Sequence, residues 1–516
     1  MIAFDTEDNS QGDVKIVNFF DGQDHITYRG EKCRYKAWGY LHEHPGEMYW
    51  GANCAYDLVN LFGPWLGKVV TLQYVASGLM RGSYRLAKGT FYDTFRHWPA
   101  TVEKMGKTIG LEKLDMPHLG CDCDDCVDYC RRDTEIVWRF VTEMLSRYEA
   151  IGLDSLRSTL PSMALQLFKQ FYTKDFCRLD DYHLNAIQKG YYGGRVEVYK
   201  LGVIHGQINH YDINSLFPSV MLDGRYPDTD SLSVTTLPNF ENEGIFEGSV
   251  YIPRTDYPCL PVRDAELIFP YGYVSGSWPY PEIRQLLADG GKVIQCKEAI
   301  EFNEVESPFT NYVKYCYQHR QESKTELDNV FWKLMLNSLY GKFGQTSALE
   351  MIFDDREITL DAKAKHANII WSAYTTSLAR VSLLRFLRSS HTLFYTDTDS
   401  LFTFDSLSVG KELGEIKLEG VYSQAEFKGN KFYRVGNITK AKGVNKKYAD
   451  EFFEKGKVTF KAPVRYLESR RRGIVPNIWR DIEKRNLKEY TKRKHIGDGN
   501  TEPWNIFDYQ KYMKDH

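Results

Sequence analysis

No stretch of this 516-residue sequence approaches 18 consecutive apolar residues, so no segment reads as a membrane-spanning helix. There is no internal repeat and no low-complexity tract, which excludes solenoid arrays and long disordered linkers. Net charge is only −3, so the chain as a whole does not announce a polyanionic partner. The ten cysteines form no regular framework, which argues against a disulfide scaffold and for a reducing, cytoplasmic setting. The opening MIAFDTEDNS is strand-like and carries an acid at its fifth residue, unlike a cleavable leader.

Apolar and aromatic residues, by contrast, are plentiful. Hydrophobic residues make up 42%, with 35 Tyr and 29 Phe, enough to bury a large core. The length predicts two to four domains. Charge is unevenly placed. From Lys442 to Lys494, 17 Lys and Arg stand against 7 Asp and Glu. A basic C-terminal segment beside an acidic body points to a nucleic-acid contact surface near acidic metal sites; the bland alternative is a solvated charged helix. Mixed strand and helix signals run to about Asp154. FYDTFRHWPATVEKMGKTIGLEKLDMP reads as strand, turn and helix, with Pro99 near the helix start, and DDCVDYCRRDTEIVWRFVTEMLSRYEAIG as a second helix. Two more helices, around Tyr312–Glu326 and Leu327–Leu339, are expected as an antiparallel pair.

Acids recur in pairs. Asp5 and Glu7 of AFDTED are two apart, as are Asp397 and Asp399 of LFYTDTDSLFTF. Residues two apart on a strand share a face, and like charges so close repel. Such a pair is tolerated at a solvent-facing turn or around divalent cations, which prefer oxygen ligands and, as pairs, drive phosphoryl chemistry. A lone D-x-D is more often a polar turn, but here it has company. YDINSLFPSVM has an apolar strand ending at Asp212, a turn, and Pro218 where a helix can start. That places a carboxylate beside backbone N–H groups able to cradle phosphate. In KLMLNSLYGKFG, Lys333, Asn337, Tyr340 and Gly341 share one helical face. The set suits a nucleoside triphosphate under a base pair; an amphipathic helix with incidental polar residues is the alternative.

In this order the three stretches resemble the polymerase motifs of family B DNA polymerases: DINSLFP motif A, KLMLNSLYG motif B, YTDTDS motif C. The resemblance implies an α/β multidomain chain. An RNase H-like 3′–5′ exonuclease domain (1–175) precedes a right-hand polymerase: palm with an insertion after motif A (176–305), fingers (306–340), palm with motif C (341–441) and a basic thumb (442–516). It implies Asp212 and Asp399 as ligands of two Mg²⁺ or Mn²⁺ ions, with Asp397 assisting. It also puts Lys333, Asn337, Tyr340, Ser215, Leu216 and Phe217 at the incoming nucleotide. Arg320 and Lys324 resemble the family's further phosphate contacts. Phe217 stands where motif A usually carries Tyr; the ring still walls out a 2′-hydroxyl, so preference for deoxynucleotides is expected.

Upstream, FDTED, NCAYD and YCRRD resemble the family's Exo I, Exo II and Exo III motifs. By that resemblance Asp5, Glu7, Asp57 and Asp133 hold two metals, Tyr129 orients the attacking water and Asn53 touches the primer end. Thr94 and Phe95, with Trp98, resemble a strand-contact motif; Lys113 with Met116 resembles the motif whose lysine supports the scissile phosphate. Tyr191, Gly193 and Gly194 resemble Y-x-G-G, Thr376 and Arg380 the primer-template motif T-x2-(G/A)-R, and Lys431 and Tyr433 the K-x-Y motif at the primer terminus.

The compact build is similar to the protein-primed subgroup of phages, viruses and linear plasmids. The implied partners are primer-template DNA, dNTPs and a terminal-protein primer, the last open against an ordinary nucleic-acid 3′ end. A monomer in the host cytoplasm, away from membrane, is expected. The subgroup's first insertion is expected within Leu222–Val305; the second has only Gln345–Ala367, as a trimmed hairpin or not at all. The expected function is template-directed DNA synthesis with proofreading; the rival is an exonuclease whose polymerase half only binds DNA. Finally, HLGCDCDDCVDYC holds His118, Cys121, Cys123, Cys126 and Cys130. The four cysteines could bind structural zinc, but the helical spacing of the last three favours the buried face of the helix leading to Asp133.

Overall fold

Alternation along the opening strand builds the first layer. In this computed structural model, which describes all residues except 10, 76–77, 119, 176–178, 346–348, 361–367 and 487–488, Ile2–Asp8 lies inside a nine-stranded sheet. It runs parallel to Met48–Gly51, which runs parallel to Thr90–Asp93. Ala3, Trp50 and Tyr92 share one face and pack with the 27-residue helix Asp124–Ala150. Ile2, Phe4, Tyr49 and Phe91 share the other and pack with helices Cys33–Glu43 and Cys54–Phe62. The long helix buries Cys126, Val127, Cys130, Ile136, Val137, Phe140, Val141 and Met144, the three-and-four spacing of a core-facing stripe.

The outer edge of this sheet comes from far away in sequence. Strands Leu349–Phe353 and Arg356–Leu360 form a hairpin whose first strand pairs with Val70–Val75, Ile352 opposite Leu72. Between motifs B and C, the described residues of Gln345–Ala367 thus form a short hairpin, the trimmed form of the two expected. It belongs to the N-terminal sheet, although residues 341–441 are expected to be palm.

A seven-stranded antiparallel sheet forms the second layer. Its order is Ile438–Ala441, Phe432–Val435, Ile416–Gly429, Gly202–Ile213, Ser400–Thr403, Leu393–Asp397 and Val196–Val198. Helix Ile369–Arg388 packs behind it, buried on nearly every side. A four-stranded sheet of Leu232–Thr235, Lys292–Phe302, Glu243–Ile252 and Gly272–Pro279 fills the segment after Asp212 where an insertion is expected. The antiparallel helices are Thr310–Gln321 and Glu326–Ser338, the second capped by Thr325, whose hydroxyl accepts from the Asp328 N–H.

The basic C-terminal segment divides in two. Strands Lys457–Pro463 and Trp479–Arg485 form a hairpin with helix Tyr466–Arg472 at its tip. The chain then returns to the palm. The Tyr490 hydroxyl accepts from the Val198 N–H at 2.8 Å, Arg493 is buried against Glu197, and helix Ile506–Asp515 packs beside Tyr271. The basic projection is therefore the hairpin Lys457–Arg485, while Phe452 and Phe453 before it pack on Phe432 and the described residues from 490 onward return to the seven-stranded sheet and its neighbours. Among the described residues no helix is long and apolar enough to cross a membrane.

Candidate active sites

Motif C does not aim its acids by strand alternation. Leu393–Asp397 ends at Asp397, which pairs with Ser400, and Thr398 and Asp399 form the turn between. Thr398 has φ 65°, the left-handed conformation that tight turns require. The same-face argument fails for this pair, because the turn sets their directions. It holds for Asp5 and Glu7, which both lie within Ile2–Asp8.

Long-range pairing brings the third acid. Asp212 lies opposite Ser400 on one side and Lys417 on the other, and the Ile213 N–H donates to the Asp399 carbonyl at 2.7 Å. Burial, then the nearby Asp212 and Asp397 charges, push Asp399 up to about 6. Burial also raises Asp212, while Lys417 opposes the rise from 3.6 Å. Lys417 also pairs with Glu419 at 2.5 Å. Both oxygens of Asp397 accept from Lys431 Nζ at 2.6 Å. The motif C acids are therefore unequal: Asp397 already has a cation, whereas Asp399 faces other carboxylates. Such crowded oxygens fit hard divalent cations.

Beside this centre, Ser215 takes the left-handed conformation at the start of helix Leu216–Asp223, and Arg320 Nη1 donates to its hydroxyl at 3.1 Å. The Phe217 and Tyr340 rings stack with centroids 4.3 Å apart and planes at 19°. Tyr340 and Gly341 begin a separate short helix, but Leu339 keeps helical angles, so the face bearing Lys333 and Asn337 continues into it. Asn337 Nδ2 donates to the Lys333 carbonyl at 2.7 Å. Burial still raises Asp212, with Lys333 a minor opposing charge behind Lys417. Lys324 is exposed between the two helices. The Leu216 side chain is buried in the palm core and unavailable to a nucleotide.

The proposed duplex contacts separate. Arg380 is 4% exposed. It pairs with buried Glu282 at 2.8 Å and donates to the carbonyls of Tyr192 and Gly193 at 2.8 and 2.9 Å. Thr376 is buried too, donating to the Ala373 carbonyl. Neither can pair with a phosphate; Arg380 instead holds the Y-x-G-G turn. That turn abuts motif C: a Cβ on Gly194 would meet Thr398 at 2.8 Å, and the Thr398 N–H donates to the Arg195 carbonyl. Tyr191 packs against Ser372, whereas Gly193 is open. Tyr433 packs on Tyr395 with centroids 5.0 Å apart.

The second centre sits at the end of the N-terminal sheet. Asp5, Glu7 and the Cys130 thiol lie within 4.8 Å of one another. Burial, then Asp133, push Asp5 up to about 7; burial, then Asp5 and Asp133, push Glu7 up to about 9. Burial and Asp5 hold Asp57 well above the usual carboxylate range. Lys113 hydrogen-bonds to Asp133 and lies over the Tyr129 ring at 4.3 Å, while the other Asp133 oxygen is buried without a hydrogen-bond partner. Four enclosed carboxylates, one lysine and an orphaned oxygen fit divalent cations.

Asp93, which no motif marked, accepts from the N–H groups of Asn53 at 3.2 Å and Phe95 at 2.9 Å, tying those two segments together. Phe95 is exposed, Thr94 is buried, and Trp98 is core, edge-on to Phe140. A cleft lined by Met80 and Phe95 on one side and Ser338, Gly341 and Lys342 on the other joins the segment after Asp93 to motif B. Of the cysteines considered for zinc, Cys130 turns away to Asp5 at 3.5 Å, and His118 joins the other three instead.

A family model described as DNA polymerase type B, organellar and viral, matches residues 120–378. The DNA-directed DNA polymerase of Enterobacteria phage PRD1 is 24% identical over 457 residues, covering 80% of this chain and 78% of its own. A Podospora anserina protein described as a probable DNA polymerase is 26% identical over 72% of this chain, which spans 38% of that relative's length. Among solved structures, Phi29 DNA polymerase complexed with primer-template DNA superposes with a TM-score of 0.76 at 15% identity, over 94% of this chain and 99% of that one. This likeness shows the fold. With half of its length matched by the family model, the chain belongs to the organellar and viral type B DNA polymerases.

Proposed function

We infer that this DNA-directed DNA polymerase synthesises DNA at the Asp212–Asp399 centre and removes 3′-terminal nucleotides at the Asp5–Glu7–Asp57–Asp133 centre. The observation that carries the reading is the junction of Asp212 and the Asp399 turn across antiparallel strands, with the Phe217–Tyr340 stack beside it. Bound divalent cations, Mg²⁺ or Mn²⁺, would at each centre activate an attacking oxygen and neutralise charge on the phosphate. Asp212 and Asp399 would hold them at the first, with Asp397 helping from its Lys431 pair; the four acids would hold them at the second.

The chain's own residues do the rest. Lys333, Arg320 and Lys324 bind the triphosphate as cations. Tyr340 supports the nascent base pair, and Phe217 closes the space a 2′-hydroxyl would need. Lys431 and Tyr433 steady the primer end. In the nuclease, Tyr129 orients water, Lys113 meets the scissile phosphate, and Asn53 and exposed Phe95 hold the terminal nucleotides, Phe95 by stacking. The cleft between Phe95 and Gly341 suits the passage of a single strand. Primer-template DNA and dNTPs are the substrates. A protein hydroxyl or a nucleic-acid 3′ end would enter the same centre; synthesis with and without a DNA primer distinguishes them.

Asp399→Ala should abolish extension of a primed template and leave 3′–5′ degradation intact, and Asp5→Ala should do the reverse. Loss of both activities in each variant, with folding retained, would refute the two-centre assignment.

A further inference from the structure

We propose that His118, Cys121, Cys123 and Cys126 bind one structural Zn²⁺ that staples the segment carrying Lys113 to the helix carrying Tyr129 and Asp133. One ligand atom from each lies within 4.8 Å of all the others. Cys123 Sγ is 3.5 Å from Cys126 Sγ and 3.6 Å from His118 Nδ1. A tetrahedral zinc with Zn–S of about 2.3 Å and Zn–N of about 2.05 Å needs edges of roughly 3.8 and 3.5 Å, so these side chains are close to ligating geometry. Three thiolates and one imidazole are soft to borderline ligands. They select zinc over Mg²⁺, and four protein ligands close the site to substrate. The Cys123 N–H donates to Cys121 Sγ at 3.3 Å, an outer-shell contact that thiolate ligands take up.

Packing alone does not account for the cluster. His118 is exposed and Cys121 and Cys123 are half-exposed; only Cys126 is buried. Cys121 and Cys123 pack at the edge of the small cluster of Ile16, Cys126, Val127 and Cys130, but that packing gives no reason for the exposed His118 ring to converge on them. A Cys123–Cys126 disulfide would use two of the four groups and leave the convergence of His118 and Cys121 unexplained.

The site's position gives it a consequence, which rests on the exonuclease reading above. Residues 111–118 form no helix or strand. Lys113 in that segment reaches Asp133 and Tyr129, and the Glu112 carbonyl accepts from Arg132 Nη1 at 2.8 Å. Two ligands come from the loop, one from the residue that starts the long helix and one from its first turn. Zinc would fix the loop on the helix and so fix Lys113.

Metal analysis of the full-length protein, purified without chelator, tests this. We expect one zinc per chain in the parent and in Cys130→Ser, and none in Cys121→Ser or Cys126→Ser. Co²⁺ in place of zinc should give the thiolate charge-transfer and visible bands of a tetrahedral site. DNA synthesis, retained in all variants, is the folding control, while Asp5-dependent degradation should fall about 10- to 100-fold in the zinc-free variants. A metal-free parent without the Co²⁺ spectrum, or a Cys123–Cys126 disulfide in mass spectra of the unreduced protein, would overturn the site. Full degradation by zinc-free Cys126→Ser would overturn its positioning role. A parent that binds zinc but shows no Asp5-dependent degradation would instead defeat the exonuclease reading and leave the zinc site standing.

Discussion

Phe217 shows what one residue decides. Its ring lies flat on Tyr340 at 4.3 Å, so the wall beside the nucleotide is held by packing and needs no phenol. Phe217→Val should raise ribonucleotide incorporation roughly tenfold or more, the discrimination a hydrophobic wall can supply. Alkali-sensitive product measures it, and an unchanged yield would sink the assignment. Arg380 makes the opposite point. Removing its charge with Arg380→Met leaves Glu282 buried and unpaired, which costs about 3–5 kcal/mol. We expect a lower thermal midpoint with an unchanged salt slope of DNA binding; a shallower slope would restore Arg380 as a phosphate contact. The acids proposed as catalytic were legible because each sits in a short local string. Lys417, Glu419 and Asp93 were not. Lys417 meets Asp212 only through the register of a strand some two hundred residues later, and no local pattern carries that. Arg380 was misjudged for a related reason: its string shows a charge and not its burial.

Among the elements, the two hairpins matter most. The tip of the basic hairpin touches the N-terminal domain: Arg470 and Arg471 pair with Asp355, Glu350 and Glu357 of the edge hairpin. Deeper in, Asn477 Nδ2 donates to Asn60 at 2.7 Å, Asn60 to Thr6 at 3.0 Å, and Thr6 to Asp57 at 2.7 Å. A C-terminal residue is thus linked to Asp57, one of the proposed nuclease carboxylates, through three hydrogen bonds. Asn477 has φ 61°, which glycine also adopts, so Asn477→Gly removes the amide without straining the backbone. Degradation should slow roughly tenfold, as small misplacements of catalytic groups do, with extension unaffected. Equal degradation rates in parent and variant would show that the chain of bonds does not position Asp57. The long helix Asp124–Ala150 and the pair Thr310–Gln321 and Glu326–Ser338 were readable from the sequence. The edge hairpin's destination was not, because Leu349–Phe353 reads as a strand whichever sheet receives it.

Across the whole molecule, the nuclease and the fingers share one core. Phe140, Val141 and Met144 of the long helix pack in the same cluster as Phe331, Met335 and Trp371. Tyr148 joins them, 5.4 Å from Phe331 and hydrogen-bonded to His97 Nδ1 at 3.2 Å. Burial pushes His97 down to about 3. Its neutral form is thus the folded form, while in the unfolded chain it takes a proton near its usual value of about 6.5. Its stabilising contribution is complete above about 6.5 and is lost as pH falls from there toward about 3. The raised carboxyls Asp5, Glu7 and Asp399 act in the opposite direction over the same window, so the test is a difference: between pH 7 and pH 5 the thermal midpoint of His97→Gln, which cannot titrate there, should rise relative to that of the parent. Parallel pH profiles for parent and variant would count against this account.

The strand that closes the N-terminal sheet carries a consequence for how the molecule is made. Val70–Val75 leaves the ribosome with a free edge, and its partner Leu349–Phe353 follows roughly 270 residues later, about 14–54 s at 5–20 residues per second. Throughout that interval the nascent domain presents one unpaired strand edge able to join a neighbouring chain. Synthesis speed and polysome crowding therefore bear on yield, and a fragment ending at residue 175 keeps that edge open for good.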